Sequence, residues 1–143
     1  MISALARPPI ARSLALPAAA ALAAVCVVHL LDGPGSLSDH FYVGALELGL
    51  AAACAPLAVW LLVRPTRTVW NAALILNLAA VAAFIVSRTL GLPGSTDDIG
   101  NWDQLLGVIN LAVEAIVIGA ALTAIRPSSL PDDTSHDGAG TSP

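Results

Sequence analysis

The sequence has few charged residues, few cysteines and no lysine. Only 11% of its 143 residues are charged, less than half of the share of about 25% that soluble domains carry. A freely soluble domain and a wholly disordered chain are therefore excluded, because disorder needs high charge and low hydrophobicity. Two cysteines are too few for a disulfide-stapled secreted module. A net charge of -4 without a basic stripe argues against a nucleic-acid partner.

Hydrophobic residues are abundant instead. They make up 57% of the chain and raise its mean hydropathy to +0.80. A helix needs about 20 apolar residues to cross roughly 30 Å of hydrocarbon. We therefore expect an all-α, polytopic membrane protein that sits in the lipid bilayer as an antiparallel bundle of four transmembrane helices within residues 13–126. The predicted spans are 13–31, 41–63, 68–90 and 104–125.

Turn residues separate these spans. Gly and Pro interrupt helices, and they occur in segments 32–35 (DGPG), 64–67 (RPTR) and 91–102. Residues 1–12 are predicted to be a short cytoplasmic N-terminus. Residues 127–143 are rich in Ser, Asp, Gly and Pro, so we expect a disordered cytoplasmic tail.

All six basic residues are arginines, and their positions predict the orientation of the spans. Five of them precede the first span, lie between the second and third, or follow the fourth. Only Arg88 lies near the opposite ends. The loops there contain five aspartates instead, namely Asp32, Asp39, Asp97, Asp98 and Asp103. The positive-inside rule then places both termini in the cytoplasm of a cell whose plasma membrane holds the protein. The five are Arg7, Arg12, Arg64, Arg67 and Arg126.

Four aromatic residues fit this orientation. Trp60 and Trp70 are predicted at the inner membrane interface, and Tyr42 and Trp102 at the outer one. This arrangement is typical of the aromatic belts of membrane proteins.

An alternative interpretation of the first span is a secretory signal, because Arg7 and Arg12 precede its apolar core. The core is longer than that of a signal peptide, and Val25 before Cys26 fits a lipoprotein cleavage site poorly. We expect the span to be retained, whereas cleavage would leave three spans.

Polar residues inside the spans form the candidate site. Ionisable groups there rarely face lipid and usually face a partner or a cavity. Glu114 lies near the middle of the fourth span, roughly 16 Å from its outer end, and Asn110 is on the same helix face. Glu47 of the second span lies about 10 Å from the outer end, level with Asn110. The third span contributes Asn77, at about the depth of Glu114, and Arg88 near the outer rim.

Together these residues predict a polar cup that opens only on the outer side. A transporter or channel needs polar access from both sides, so the cup favours a protein that binds or senses a proton or cation. The loop aspartates would join the two histidines and the arginine at the rim. From rim to floor the cup would comprise His29, His40, Arg88, Glu47, Asn110, Asn77 and Glu114.

A structural interpretation of the same residues stays open. Glu47 and Arg88 are close enough in depth to form an ion pair. Asn77 and Asn110 can bridge helices by hydrogen bonds, worth about 0.6 kcal/mol in membranes. The chain would then be a structural or assembly subunit, in a homo-oligomer or with another membrane protein. An enzyme is less favoured, since no nucleophile–base pair or cofactor motif occurs, and the sequence indicates no cofactor.

Four residues near the outer ends of the first two spans are possible metal ligands. Histidine and aspartate suit Zn, Cu or Mn, but the spacing here matches no diagnostic motif. Cys26 and Cys54 differ in depth by roughly 13 Å, too far for a disulfide, which disfavours a thiol redox enzyme. The possible ligands are His29, Asp32, Asp39 and His40.

The segment 87–93 (SRTLGLP), followed by 100–102 (GNW) and by Glu114, resembles a pattern in uncharacterised small four-helix membrane proteins of high-G+C, actinobacterial-type bacteria. The resemblance covers the last two spans and the loop between them. It implies a bacterial inner-membrane protein and no particular activity. The lack of lysine and the abundance of alanine suit such a source.

Overall fold

The computed structural model describes residues 12–126, and every regular element in that part of the chain is a helix. Each of the four helices is long and apolar enough to cross a membrane. The prediction of an all-α chain with four helices of membrane-spanning length is confirmed. The predicted tail, and all of the predicted N-terminal segment except Arg12, lie outside the described residues. The helices are α1 (Ala15–Asp39), α2 (Phe41–Val63), α3 (Arg67–Thr89) and α4 (Leu105–Ile125).

The helices contact one another in chain order. α1 packs on α2, α2 on α3 and α3 on α4, and α4 returns to pack on α1. Within residues 12–126, the backbones of α1 and α3 are not in contact, and neither are those of α2 and α4. The α1–α2 interface is the most extensive of the four, and the α2–α3 interface is the sparsest.

The first helix is longer than predicted, because the segment 32–35 is helical and not a turn. α1 continues through Pro34 to Asp39, and His40 alone joins it to α2. The two helices cross very closely: a Cβ added to Gly44 would overlap the backbone nitrogen of Leu37 and lie 2.7 Å from the carbonyl oxygen of Gly33. Small residues allow such an approach between helices in lipid. Gly33 and Gly44 therefore serve helix packing, which their turn propensity does not reveal.

The other two connections lie where the sequence predicts them. The side chain of Thr66 caps α3 by accepting a hydrogen bond of 3.3 Å from the Val69 N–H. The loop from α3 to α4 begins at Gly91, whose φ of +77° favours glycine. Its later part is held against the end of α3 by a 2.9 Å hydrogen bond from the Gly100 N–H to the Arg88 carbonyl oxygen.

One end of the bundle, here called the packed end, is a close-packed apolar core. It contains the first half of α1, the second half of α2, the first half of α3 and the second half of α4. Of the two tryptophans predicted at the inner membrane interface, Trp70 is buried in that core at 1% exposure, whereas Trp60 is 57% exposed. The largest side chains of the core are Leu22, Val25, Leu61, Trp70 and Val117.

Candidate functional site

A cavity of about 560 Å³ lies at the opposite end of the bundle, here called the cavity end. All four helices and the α3–α4 loop contribute to its wall. The residues predicted for the rim and the middle of the polar cup line this cavity, with the exception of Asp103. The two residues predicted for its floor, Asn77 and Glu114, do not line it. The polar lining residues are His29, Asp32, Ser36, Asp39, His40, Glu47, Ser87, Arg88, Ser95, Asp97, Asp98, Gln104 and Asn110.

Glu114 is fully buried just beyond the cavity wall. Its Oε1 accepts a 2.9 Å hydrogen bond from Nδ2 of Asn110, one turn earlier on α4. The same Oε1 lies 4.0 Å from Nε2 of His29 on α1. The other oxygen, Oε2, is buried and has no hydrogen-bond partner among the described residues. The acid is thus linked to the cavity through two lining side chains and is not itself exposed to it.

His29 lies deeper than the rim position predicted for it. Its Nε2 is 3.3 Å from Nδ2 of Asn110, and its side chain is 13% exposed. An amide nitrogen only donates, so Nε2 accepts, and the neutral ring then carries its proton on Nδ1. A protonated ring would instead form an ion pair with Glu114 across the 4.0 Å gap. A proton on Nε2 would face Nδ2 of Asn110, which is also a donor, so protonation of the ring requires the Asn110 side chain to move away.

Glu47 is partly buried in the cavity wall on α2. It lies close enough to interact electrostatically with His29, Asp32 and Asp98. Its Oε2 is occluded and has no hydrogen-bond partner within residues 12–126. Glu47 is therefore a carboxylate that has no basic side-chain nitrogen within 4.0 Å among the described residues.

Arg88 does not pair with Glu47, so the predicted Glu47–Arg88 ion pair is wrong. Its Nη1 lies 2.5 Å from Oδ1 of Asp98, and its Nη2 donates to Oε1 of Gln104. The guanidinium carbon also stands 4.9 Å from the centroid of the Phe84 ring, within the range of a cation–π contact. The α3–α4 loop folds back over the end of α3 and so supplies a nearer carboxylate than α2 does.

Two further contacts join His40 and the start of α2 to the α3–α4 loop at the mouth of the cavity. Nε2 of His40 lies 3.3 Å from Oδ2 of Asp97. The Tyr42 hydroxyl donates a 2.6 Å hydrogen bond to the Pro93 carbonyl oxygen. These contacts tie α2 to the loop across the otherwise sparse α2–α3 interface.

The possible metal ligands are not assembled as a metal site. His29, Asp32, Asp39 and His40 all line the cavity. However, no group of three or more His, Cys, Asp or Glu side chains within residues 12–126 is arranged to hold a metal ion. His29 is directed to Asn110, and His40 is paired with Asp97.

Asn77 does not bind Glu114. It is fully buried on α3, and its Nδ2 donates a 2.8 Å hydrogen bond to the carbonyl oxygen of Ala73 in its own helix. Its Oδ1 has no partner among the described residues. Asn77 therefore forms no bridge between helices, in contrast to Asn110.

Sequence reasoning missed Gln104, which receives the Nη2 hydrogen bond of Arg88, and Asp98 as the partner of Arg88. Both lie in the part of the chain that joins α3 to α4 or begins α4, where hydrophobic periodicity carries no signal. One sequence feature could have indicated the pairing with Asp98: Arg88 is the only arginine near this end of the spans, and an acidic loop follows it directly in the chain.

Comparison of the chain with known protein families, with curated proteins and with solved structures finds no match.

Proposed function

We propose that the chain is a multi-pass protein of a bacterial cytoplasmic membrane, in which the four helices form an antiparallel bundle with both termini in the cytoplasm. The cavity then faces the outside of the cell. Support comes from the arginine distribution, since Arg64 and Arg67 lie between α2 and α3, and Arg126 follows α4. The acidic residues of the cavity end match the side that positive-inside sorting leaves poor in arginine.

Within this arrangement, we infer that the protein binds or senses protons through the pair formed by His29 and Glu114. The observation that carries this proposal is the complete burial of Glu114, with one oxygen unpartnered among the described residues and the other linked to two cavity-lining side chains. Intramembrane acids of this kind commonly belong to ion pathways or proton relays.

The burial of Glu114 selects the proton over larger cations. Because Glu114 does not line the cavity, a metal or organic cation in the cavity does not reach its carboxylate. His29 borders the cavity and also lies 4.0 Å from Glu114, so it provides a titratable group between the two.

Proton uptake changes the net charge of the His29–Glu114 pair. With neutral His29 and ionised Glu114, the pair has one negative charge. One proton from the cavity, bound at His29 Nε2 or at the Glu114 carboxylate, makes the pair neutral overall, and release reverses the step.

Infrared spectroscopy of the full chain in lipid nanodiscs tests this proposal. We expect wild-type protein to show a carboxyl stretching band that varies with pH and that Glu114→Gln removes. The matched control is Asp103→Asn, which removes an exposed acid outside the cavity wall and should leave the band unchanged. A pH-dependent band that is identical in wild type and Glu114→Gln would contradict the proposal.

Reporter fusions test the orientation separately. A reporter active only in the cytoplasm, fused to either terminus, should be active, and a reporter active only outside the cell should not. An outward-facing C-terminus would overturn the proposed topology without bearing on the His29–Glu114 contact.

A second candidate function is that of an assembly subunit, either in a homo-oligomer or with another membrane protein. It is favoured by two rows of small residues, Ala45-Gly49-Ala53 and Ala115-Gly119-Thr123. A Cβ added to Gly49 or Gly119 would meet nothing within 4 Å. Such rows promote close helix contacts in lipid. Native mass spectrometry of the protein released from nanodiscs should then show an oligomer that Gly49→Leu or Gly119→Leu disrupts, and a monomer would contradict this candidate.

A further inference from the structure

A second, smaller concavity lies between α2 and α3 at the packed end and is here called the α2–α3 groove. Its volume is about 320 Å³, and its wall comprises the last turns of α2, the connection to α3 and the first turns of α3. The α2–α3 interface is the sparsest of the four, so the two helices leave this gap between them. Several lining side chains, including Trp60, Arg64 and Ala72, are exposed. The groove is therefore open to whatever surrounds the bundle.

The groove is apolar along its length and polar at one end. Leu57 of α2, with Val69 and Ala72 of α3, lines the apolar part. Arg64 and Thr66 line the polar end, where α2 ends and α3 begins. Leu57 lies seven residues before Arg64, so the apolar part extends roughly 10 Å from the polar end toward the middle of the helices.

The arginines at the polar end have no acidic partner. Arg64 lines the groove and is exposed, and Arg67 is the first residue of α3. Neither has a carboxylate oxygen within 4.0 Å in the part of the chain that the structure describes. The described acids lie at the other end, in the cavity wall or the α3–α4 loop, or just beyond the wall in the case of Glu114. The polar end of the groove therefore has positive charge that no described residue neutralises.

The N-terminus of α3 adds to this positive character. Thr66 accepts a hydrogen bond from the Val69 N–H through its hydroxyl oxygen, which leaves the hydroxyl hydrogen available for an acceptor. A helix of 23 residues begins here, and its N-terminus has a partial positive charge that favours anions. The arginines, the threonine hydroxyl and the helix end thus all favour an anionic group at the same place.

We propose that the α2–α3 groove binds one anionic phospholipid from the leaflet at the packed end. The phosphate diester lies beside Arg64 and Thr66, and an acyl chain lies in the apolar part against Leu57 and Ala72. Trp60 also lines the groove and is 57% exposed, which suits a tryptophan at the level of the lipid headgroups. Basic pockets between transmembrane helices bind anionic headgroups in this way.

Charge complementarity favours this occupant over the alternatives. A zwitterionic phospholipid brings its own cation close to Arg64 and so neutralises the arginines less well. A second copy of the chain that packs side by side in the same orientation would bring arginines against arginines, because the described residues of the packed end include no acid. A free phosphate ion would leave the apolar part of the groove uncovered.

Native mass spectrometry tests the inference on the full chain released from nanodiscs that contain equal amounts of phosphatidylglycerol and phosphatidylcholine. We expect the protein to retain phosphatidylglycerol at least about fivefold more often, since one basic residue near anionic lipid accounts for such a ratio. Glycerol phosphate, which has no acyl chain, should not displace the retained lipid. The result does not depend on the proton proposal, and the proposed topology determines only which leaflet supplies the lipid in a cell.

Charge variants locate the headgroup. Arg64→Gln should lower the preference for phosphatidylglycerol about fivefold, whereas Arg64→Lys, which keeps the charge, should retain most of it. The matched control is Arg126→Gln, which makes the same change of charge at an exposed position of the packed end outside the groove wall. It should leave the preference unchanged.

Apolar variants locate the acyl chain. Ala72→Leu should reduce retention of phosphatidylglycerol by filling the groove, whereas Ala82→Leu, an exposed position of the same helix outside the wall, should not. This pair involves no change of charge, so it remains informative if Arg64→Gln folds poorly.

Three results would overturn the inference. The first is equal retention of the two lipids by wild-type protein. The second is an equal effect of Arg126→Gln and Arg64→Gln, or wild-type retention by both Arg64→Gln and Ala72→Leu. The third is a dimer without bound lipid that Ala72→Leu disrupts, because a second copy of the chain would then cover the groove.

Discussion

The two ends of the bundle are built from similar apolar helices but differ in how they pack. At the packed end, small and branched side chains of all four helices form one core, with Leu22, Leu61 and Trp70 almost completely buried. At the cavity end, the α2–α3 interface stays open around acids that are paired with His40 or Arg88 or remain unpaired.

This difference shows that hydropathy predicts the positions of the helices but not how tightly the helices pack against one another. Charged side chains inside a bundle must have partners or a polar cavity. Glu47 is itself in the wall of the open end, whereas Glu114 lies beyond it and reaches the cavity through Asn110 and His29. The polar residues therefore mark the end at which the helices separate.

The largest expected effect is at the packed end. Leu22→Ala should lower the free energy of unfolding by about 2–5 kcal/mol, because Leu22 is fully buried and its loss leaves a void. The matched change at the cavity end, Leu46→Ala, should cost no more than about 0.5 kcal/mol, since Leu46 is 68% exposed. Denaturant titration in mixed micelles measures both. Equal costs would refute the distinction between a packed and an open end.

A smaller effect is expected at the close crossing of α1 and α2. Gly44→Ala should destabilise the protein by about 1–3 kcal/mol, because the new Cβ would overlap backbone atoms of α1. Gly49→Ala on the same helix is the control, since its Cβ would meet nothing within 4 Å. Thermal unfolding of the two variants compares them directly. If Gly44→Ala unfolds like Gly49→Ala, the helices do not cross as closely as described.

The smallest of these effects concerns the N-terminus of α3, next to the packed end. Thr66→Ala removes the side-chain cap and should cost about 1 kcal/mol. Thr68→Ala, at an exposed position in the first turn of the same helix, should be nearly neutral. Denaturant titration of both variants tests whether the cap is formed. A cost at Thr68 equal to that at Thr66 would contradict it.

Much of the fold could be predicted from the sequence. The four helices follow from four apolar runs of sufficient length, and the hydrogen bond between Asn110 and Glu114 follows from their spacing of one helical turn. The position of His29 could not be predicted. Its rim placement assumed that the first helix ends at Leu31, whereas α1 ends at Asp39, ten residues beyond His29 and about 15 Å further along.

The partners of Arg88 were unpredictable for a different reason. Depth along a helix places Arg88 near Glu47, but the nearest acid is Asp98, in a loop held against the end of α3. Helical periodicity describes positions within helices and gives no information on how a loop folds back. The same limit explains why the structure and not the sequence shows which acids of the cavity remain unpaired.

The most direct test of the account is nitrogen NMR of the His29 ring across a pH titration. Substituting His40→Asn and His136→Asn leaves His29 as the single histidine. The account predicts a neutral ring with its proton on Nδ1 at high pH, and a titration that coincides with that of the infrared carboxyl band and changes on Glu114→Gln. If the ring spectra are the same in the presence and absence of the Glu114 carboxylate at every pH, His29 and Glu114 do not share a proton and the central claim is wrong.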